Sequence, residues 1–358
     1  MKDLHGGNIY KFQREGKNDI LDYSSNINPL GVPQKFINIA KENFDKLVNY
    51  PDPYYIELRE KIAEFNLVTK DNIIVGNGAT EVLFLYIRAL KPKKVLILAP
   101  CFAEYERALK SVSANIEYFE LKESENFYPN IENLKKEIEN NNYDLLLLCN
   151  PNNPTGQFIK LEDIKEIVKT CEDKNTRIFI DEAFIEFIEN WKEKTVSLLK
   201  NKNVFIMRAF TKFFAIPGLR LGYGIGFNED ILKKMWEEKE PWTVNTFANL
   251  AGIVMLDDKE YIEKSEKWIL EEKKFMYKEL NEFQYINAYK TECNFILIKI
   301  YNISSTSLKD KMIEKNILIR DASNFKFLDY HFVRLAIKDR KSNLKMLEVL
   351  ADIMEYRG

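Results

Sequence analysis

Through the middle of the chain, short runs of apolar and often β-branched residues alternate with longer stretches in which apolar positions recur every three or four residues. That switching of period is what a mostly parallel sheet covered by helices requires. Residues 73–75, 95–99, 116–121, 145–149, 178–180, 204–207 and 221–226 predict strands. Residues 81–90, 103–111, 131–139 and 161–172 predict helices between them. Residues 41–245 are therefore expected to form one large α/β domain. Beyond Trp242 the pattern changes, and 258–283 predicts a long charged amphipathic helix carrying Ile262, Ile269, Met276 and Leu280. Strand-like 295–300, helical 307–314, strand-like 317–320 and 332–337, and a final helix from Ser342 follow. Residues 246–358 thus predict a smaller α+β domain, which an N-terminal arm, residues 1–40, joins.

Charge and composition narrow the function. With 53 Lys and Arg against 55 Asp and Glu, the 358-residue chain carries a net −2, so it has no polycationic field and nucleic acid is not an expected partner. No apolar run reaches the roughly 18 to 20 residues of a membrane span, and the N-terminus has no signal-peptide h-region. The expectation is a cytoplasmic protein with no membrane partner. Cys101, Cys149, Cys171 and Cys293 are scattered without a C-x-x-C pair, which argues against a zinc site or a disulfide framework. Two histidines, His5 and His331, are too few for multi-histidine metal chemistry, and no metal is expected. Chemistry must come mostly from Lys, Asp, Asn, Arg and Tyr.

In a doubly wound sheet ligands bind beyond the carboxyl ends of the strands, so the residues that follow each apolar run are the candidates. After 73–75 comes Gly76-Asn77-Gly78-Ala79-Thr80-Glu81, a glycine-rich turn into a helix. It suits an anion at a helix N-terminus, and equally an ordinary turn. After 145–149 comes NPNNPTG, 150–156, whose prolines fix the backbone around two adjacent asparagines. Strand 178–180 ends in Asp181, which needs a cationic or N–H partner if it is buried, or serves as a helix cap. Strand 204–207 leads to Lys212 among Phe210, Phe213, Phe214 and Ile216, a setting that depresses a lysine pKa and favours a nucleophilic amine over a snorkelling one. Arg220 follows as a candidate anion fork, and Arg334, inside an apolar alternation, must face a polar cleft or pair.

NPNNPTG, FIDEAF and FTKFFAIPGLRLGY, in this order, resemble the fold-type-I pyridoxal-phosphate enzymes, the aspartate-aminotransferase superfamily, over essentially the whole chain. The resemblance implies the PLP-dependent transferase fold with pyridoxal 5'-phosphate as cofactor. By that likeness Lys212 bonds the cofactor, Asp181 pairs with its ring nitrogen, Asn153 meets its phenolic oxygen and Phe102 stacks on its ring. The same likeness gives the cofactor phosphate to Arg220 and to the helix N-terminus at Gly78, Ala79 and Thr80. Tyr50, in YPDPYYIELRE, is expected to reach the phosphate of a partner subunit, since the family is built as homodimers. Two departures stand out: Phe184 replaces a tyrosine three residues after Asp181, and Ala209 replaces a hydroxyl residue three before Lys212. Phosphate binding is expected to lean more on Thr80, Thr211 and Arg220.

Within the superfamily the chain is similar to the histidinol-phosphate aminotransferase branch. HGGN at 5–8, SNINPLG at 25–31, FAEYER at 102–107 and IRD at 319–321 look closer to its relative, the threonine-phosphate decarboxylases of cobalamin biosynthesis. That likeness implies a small phosphorylated amino-acid substrate held by His5, Asn28, Arg320 and Arg334, and decarboxylation of L-threonine O-3-phosphate. The alternatives are a histidinol-phosphate-type aminotransferase using 2-oxoglutarate or glutamate, and a non-catalytic cofactor-binding protein. A nicotinamide-dependent oxidoreductase is disfavoured, because Gly76-x-Gly78-x-x-Glu81 lacks the third glycine.

Overall fold

The computed structural model describes residues 5–355. After the short strand β1 (Leu21–Asp22), seven strands build a central sheet: β2 (Ile73–Asn77), β3 (Lys94–Ala99), β4 (Asn115–Glu120), β5 (Leu145–Cys149), β6 (Arg177–Asp181), β7 (Val204–Ala209) and β8 (Leu221–Gly226). Their order is β2-β8-β7-β6-β5-β3-β4. All neighbours pair in parallel except at β8, which runs against both β2 and β7. The strands are covered on both faces, which is why β5 and β7 are buried at every residue and read as continuous apolar runs. Alternate side chains feed two separate cores. Leu146, Leu148, Ile178, Ile180 and Ile206 enter one, and Leu145, Leu147, Phe179 and Phe205 the other.

The second body is an antiparallel sheet of β9 (Ile286–Ala288), β10 (Phe295–Ile300), β12 (Arg320–Asp321) and β13 (Phe332–Ala336), in the order β12-β13-β10-β9. The run expected as one strand at 317–320 is split at Ile319. Its first half, β11 (Ile317–Leu318), pairs in parallel with β1, and its second half pairs with β13. The break comes from a change of pairing partner, which no local pattern encodes. Helix Lys259–Asn281 and helix Arg340–Glu355 complete this part of the chain. Helices Gln34–Glu42, Ile56–Asn66, Glu229–Glu238 and Thr246–Met255 lie outside the segments for which the pattern predicted elements. The last of them, TFANLAGIVM, is mostly apolar and packs against the first two, so it presents no clear stripe. Among the described residues no helix is long and apolar enough to cross a membrane.

The ends of β6 and β7 are tied by a buried ion pair. Arg208 donates from Nη2 and Nε to Glu182 Oε2 at 2.8 and 3.0 Å, and both side chains are fully buried. Thr195 and Asn66 accept further guanidinium bonds, and the Val196 N–H donates to Glu182 Oε1 at 2.9 Å. Such a pair adds little over an apolar one, but removing one partner strands a charge in the core. Glu182→Ala is expected to lower unfolding free energy by about 3–5 kcal/mol in chemical denaturation, more than Glu182→Gln, which keeps hydrogen-bonding partners for Arg208.

Candidate active site

The carboxyl ends of β5, β6 and β7 and the turns after β2 and β3 open on a cavity of about 330 Å³, closed from the other side by residues 5–6, 24–26, 320 and 334. Lys212 lines it from the short helix Phe210–Phe213, one turn past β7. Burial pushes its amine down from 10.5 to about 8, helped by the positive charges of Arg334 and Arg220 and opposed by Asp181.

Asp181, the last residue of β6, faces the same cavity. Burial raises its carboxyl to about 6, against the opposing pull of its hydrogen bonds. Tyr105 Oη donates to Oδ2 at 2.6 Å, and the Ala183 N–H donates to Oδ1 at 2.8 Å. Tyr105 was not among the sequence candidates. Its signal was there: it stands three residues after Phe102 at the start of helix Glu104–Lys110, so the two rings share one side of that turn and meet edge to face at 5.7 Å.

The three asparagines of NPNNPTG separate cleanly. Asn150 binds the Ile159 backbone through both ends of its amide, and Asn152 caps the turn at Thr155 and donates to Pro100 O. Asn153 alone of the three lines the cavity, and its Oδ1 accepts from Arg334 Nη1 at 2.6 Å. Arg334 also donates from Nη2 to Ser24 O at 2.6 Å, while its Nε is buried without a hydrogen-bond partner. Burial and neighbouring Arg320 push the guanidinium down to about 9. Arg320 sits directly across from Arg334 in the β12–β13 pairing and lines the same cavity, with Nη2 donating to Asn324 Oδ1 at 2.7 Å.

At the opposite wall, helix Ala79–Leu90 begins at Gly78, whose φ is +79°. A Cβ at Gly78 would lie 2.5 Å from Arg220 Nη2, so the guanidinium rests directly on the glycine backbone. Ala79, Thr80, buried Thr211, Phe102, His5 and Arg220 all line the cavity. Ala209 and Phe184 line it too, and the Phe184 ring packs edge to face on Phe295 at 5.1 Å, which places packing where a tyrosine would offer a hydroxyl.

Three expected residues are not among those that line the cavity, and one of them, Gly78, lies under Arg220. Asn28, expected to hold substrate, is not at the cavity. Its Nδ2 donates to Phe213 O at 2.9 Å and Ser265 Oγ at 2.7 Å, and its Oδ1 accepts from the Leu30 N–H. With both ends engaged it braces the lysine-bearing segment, whose Lys212 carbonyl also accepts from the Asn28 N–H at 3.1 Å. Tyr50 is 81% exposed and lies against Trp242, with ring centroids 4.9 Å apart, away from its own chain's cavity.

The cavity suits a phosphorylated pyridine aldehyde. The missing Cβ at Gly78 lets the Arg220 guanidinium close onto the start of a helix, which gathers an anion's donors there, and a buried carboxylate and an amine of lowered pKa line the same cavity. Comparison with known proteins agrees. The family "Aminotransferase class I and II" matches residues 18–350, and the chain belongs to it. A protein of Caldanaerobacter subterraneus subsp. tengcongensis, provisionally named threonine-phosphate decarboxylase, is 45% identical, with 98% of this chain and 94% of that one covered. Threonine-phosphate decarboxylase of Salmonella typhimurium is 33% identical, covering 98% and 96%. A crystal structure titled as the histidinol-phosphate aminotransferase of Clostridium acetobutylicum superposes with a TM-score of 0.88 at 39% identity, covering 94% and 99%.

Only the neutral amine is nucleophilic, so lowering the Lys212 pKa to about 8 raises the reactive fraction near neutral pH. The rate at which cofactor-free protein combines with pyridoxal phosphate is expected to rise about tenfold per pH unit below 8 and level off above it, followed by absorbance. Lys212→Arg is expected to show no such reaction.

Proposed function

We propose that this pyridoxal-phosphate-dependent enzyme decarboxylates L-threonine O-3-phosphate to (R)-1-amino-2-propanol O-2-phosphate, a step of cobalamin biosynthesis. The observation that carries the reading is the facing pair Arg320 and Arg334, which brings two guanidinium groups to the cavity that Lys212 lines. Two cations at one wall suit a substrate with two anionic groups, a carboxylate and a phosphate. The names of the relatives at 45% and 33% identity support the same chemistry.

When bound, the cofactor supplies a carbonyl for the substrate amine and a ring that takes up the electrons of a broken Cα bond. Asp181 would keep the ring nitrogen protonated, with Tyr105 holding the carboxylate in place. Asn153 has its oxygen committed to Arg334, which leaves its Nδ2 as the end to offer a phenolic oxygen. Thr80, Thr211, Arg220 and the Gly78–Ala79 turn would receive the cofactor phosphate, and Phe102 would lie on the ring.

Arg334, fixed by Asn153 and Ser24, orients the substrate carboxylate, and Arg320 with His5 takes the substrate phosphate. By fixing the angle of that carboxylate, Arg334 would decide whether CO₂ or the Cα proton is lost once the cofactor supplies its electron sink. Lys212, with its amine near neutrality, then returns a proton to Cα.

The exposed apolar side chains of Phe44, Leu47, Val48, Tyr50, Tyr54 and Trp242 form a face suited to a second copy of the chain. We place the homodimer contact there, with Tyr50 reaching the partner's cofactor phosphate, in a cytoplasmic protein whose cysteines stay reduced. Val48→Asp is expected to shift the protein from dimer to monomer in light scattering and to weaken cofactor retention.

The deciding experiment gives the loaded enzyme threonine phosphate without a keto acid and identifies the products by mass spectrometry. Aminopropanol phosphate and CO₂ are expected. The 39% identical Clostridium structure supports a second reading, amino transfer between histidinol phosphate and 2-oxoglutarate, and that activity without amine product would replace the first. Lys212→Ala is expected to abolish turnover, and Arg334→Ala to lower kcat/KM by about 100-fold.

A further inference from the structure

Glu104 is a carboxylate in a cavity whose other ionised walls are mostly cationic, and an anionic substrate gains nothing from it directly. It opens helix Glu104–Lys110, is 6% exposed and lines the cavity beside Phe102. Each of its oxygens has a partner. Oε1 meets His5 Nε2 at 2.9 Å, and Oε2 accepts from the exposed Arg107 Nη1 at 3.4 Å. The His5 ring also packs on Phe102, with centroids 5.4 Å apart.

The segment bearing His5 has a second fastening on the opposite wall. Gly7, at φ +84°, donates its N–H to Ser24 Oγ at 2.8 Å. A Cβ on Gly6 would lie 2.0 Å from Ser24 O, so the arm runs flat against that carbonyl and no side chain fits between. Ser24 O is the same atom that accepts from Arg334 Nη2. The fastening at Ser24 lies beside Arg334 and the fastening at Glu104 beside Phe102, so residues 5–7 link two parts of the cavity lining.

We propose that Glu104 is a positioning residue that latches the N-terminal arm across the cavity through His5, and so sets the affinity for the phosphorylated substrate. The Gly6-Gly7 pair supplies the close passage over Ser24, and Glu104 supplies the far anchor. With the latch closed, His5 stands at the mouth beside Arg107, where an incoming phosphate meets both. The inference rests on the reading of His5 as a substrate-side residue, so its test carries a measurement that needs no substrate.

The comparison uses the cofactor-loaded enzyme and its Glu104→Leu, Glu104→Gln and His5→Ala variants. Hydrogen exchange of the amides of residues 6–12 reports the arm without substrate, and steady-state kinetics with threonine phosphate reports the affinity. Glu104→Leu is expected to speed exchange in 6–12 and to raise KM by about tenfold, with kcat changed less than about threefold and the cofactor absorbance unaltered. Glu104→Gln, which keeps an acceptor for His5, is expected to restore most of both. His5→Ala is expected to match Glu104→Leu in exchange and, losing the phosphate contact too, to raise KM at least as much, and the double variant adds nothing further to exchange. Unchanged exchange in both Glu104→Leu and His5→Ala, or full additivity in the double variant, overturns the latch. If the parent enzyme fails to turn over threonine phosphate, the proposed reaction falls while the exchange comparison still decides the latch.

Discussion

A guanidinium inside a protein is costly unless its N–H groups find acceptors, and Arg334 finds one at each terminal nitrogen by joining three distant parts of the chain. It stands in β13, in the middle of a fully buried run, and bonds Asn153 in the loop after β5 and Ser24 near the N-terminus. Each partner is thereby held where its own task requires: Asn153 has one end of its amide fixed, and Ser24 is held under the arm. The group that we assign to the substrate carboxylate is thus one of the ties between the second body and the first, beside pairs such as Lys299–Glu123 and Tyr289–Glu123. Its one buried nitrogen without a partner lies in the same cluster.

The electrostatics follow from how few anions share this space with how many cations. Lys212 is pushed down toward 8 by burial and by two arginines, while Asp181 is pushed up toward 6 by burial. Both shifts bring the groups closer to neutrality, which lets an amine act as nucleophile and as proton donor in one cycle. Tyr105 and the Ala183 N–H restrain the aspartate from drifting higher, so it keeps a charge to offer a ring nitrogen. The Glu182–Arg208 pair fastens the end of β6, which carries Asp181, to β7, which leads into the helix of Lys212.

The large sheet was legible because its strands are buried on both faces and stand out as apolar runs bounded by polar turns. β5 and β8 begin and end where the pattern put them. The division of 317–320 between two partners was invisible, since it depends on β1, some 300 residues away. At the site, candidates picked for following strands line one cavity, because topology alone delivers them to one edge. Asn28 lies off the cavity lining, and its sequence could not say so: an asparagine in a loop looks the same whether its amide meets a ligand or the backbone of Phe213. Tyr105 and Glu104 were passed over as helix residues, although the first turn of that helix lies at the same sheet edge.

The groups that we assign to the cofactor, apart from the partner's Tyr50, lie between residues 78 and 220, whereas those assigned to the substrate come from residue 5 and from 320–334. Apart from His5, the substrate side of the site is therefore made after the cofactor side. The cradle that includes Lys212, Asp181 and Arg220 leaves the ribosome before the strand that carries Arg334, and domains tend to fold as they emerge. A chain can thus acquire the means to hold its coenzyme before it acquires the means to grip an amino acid.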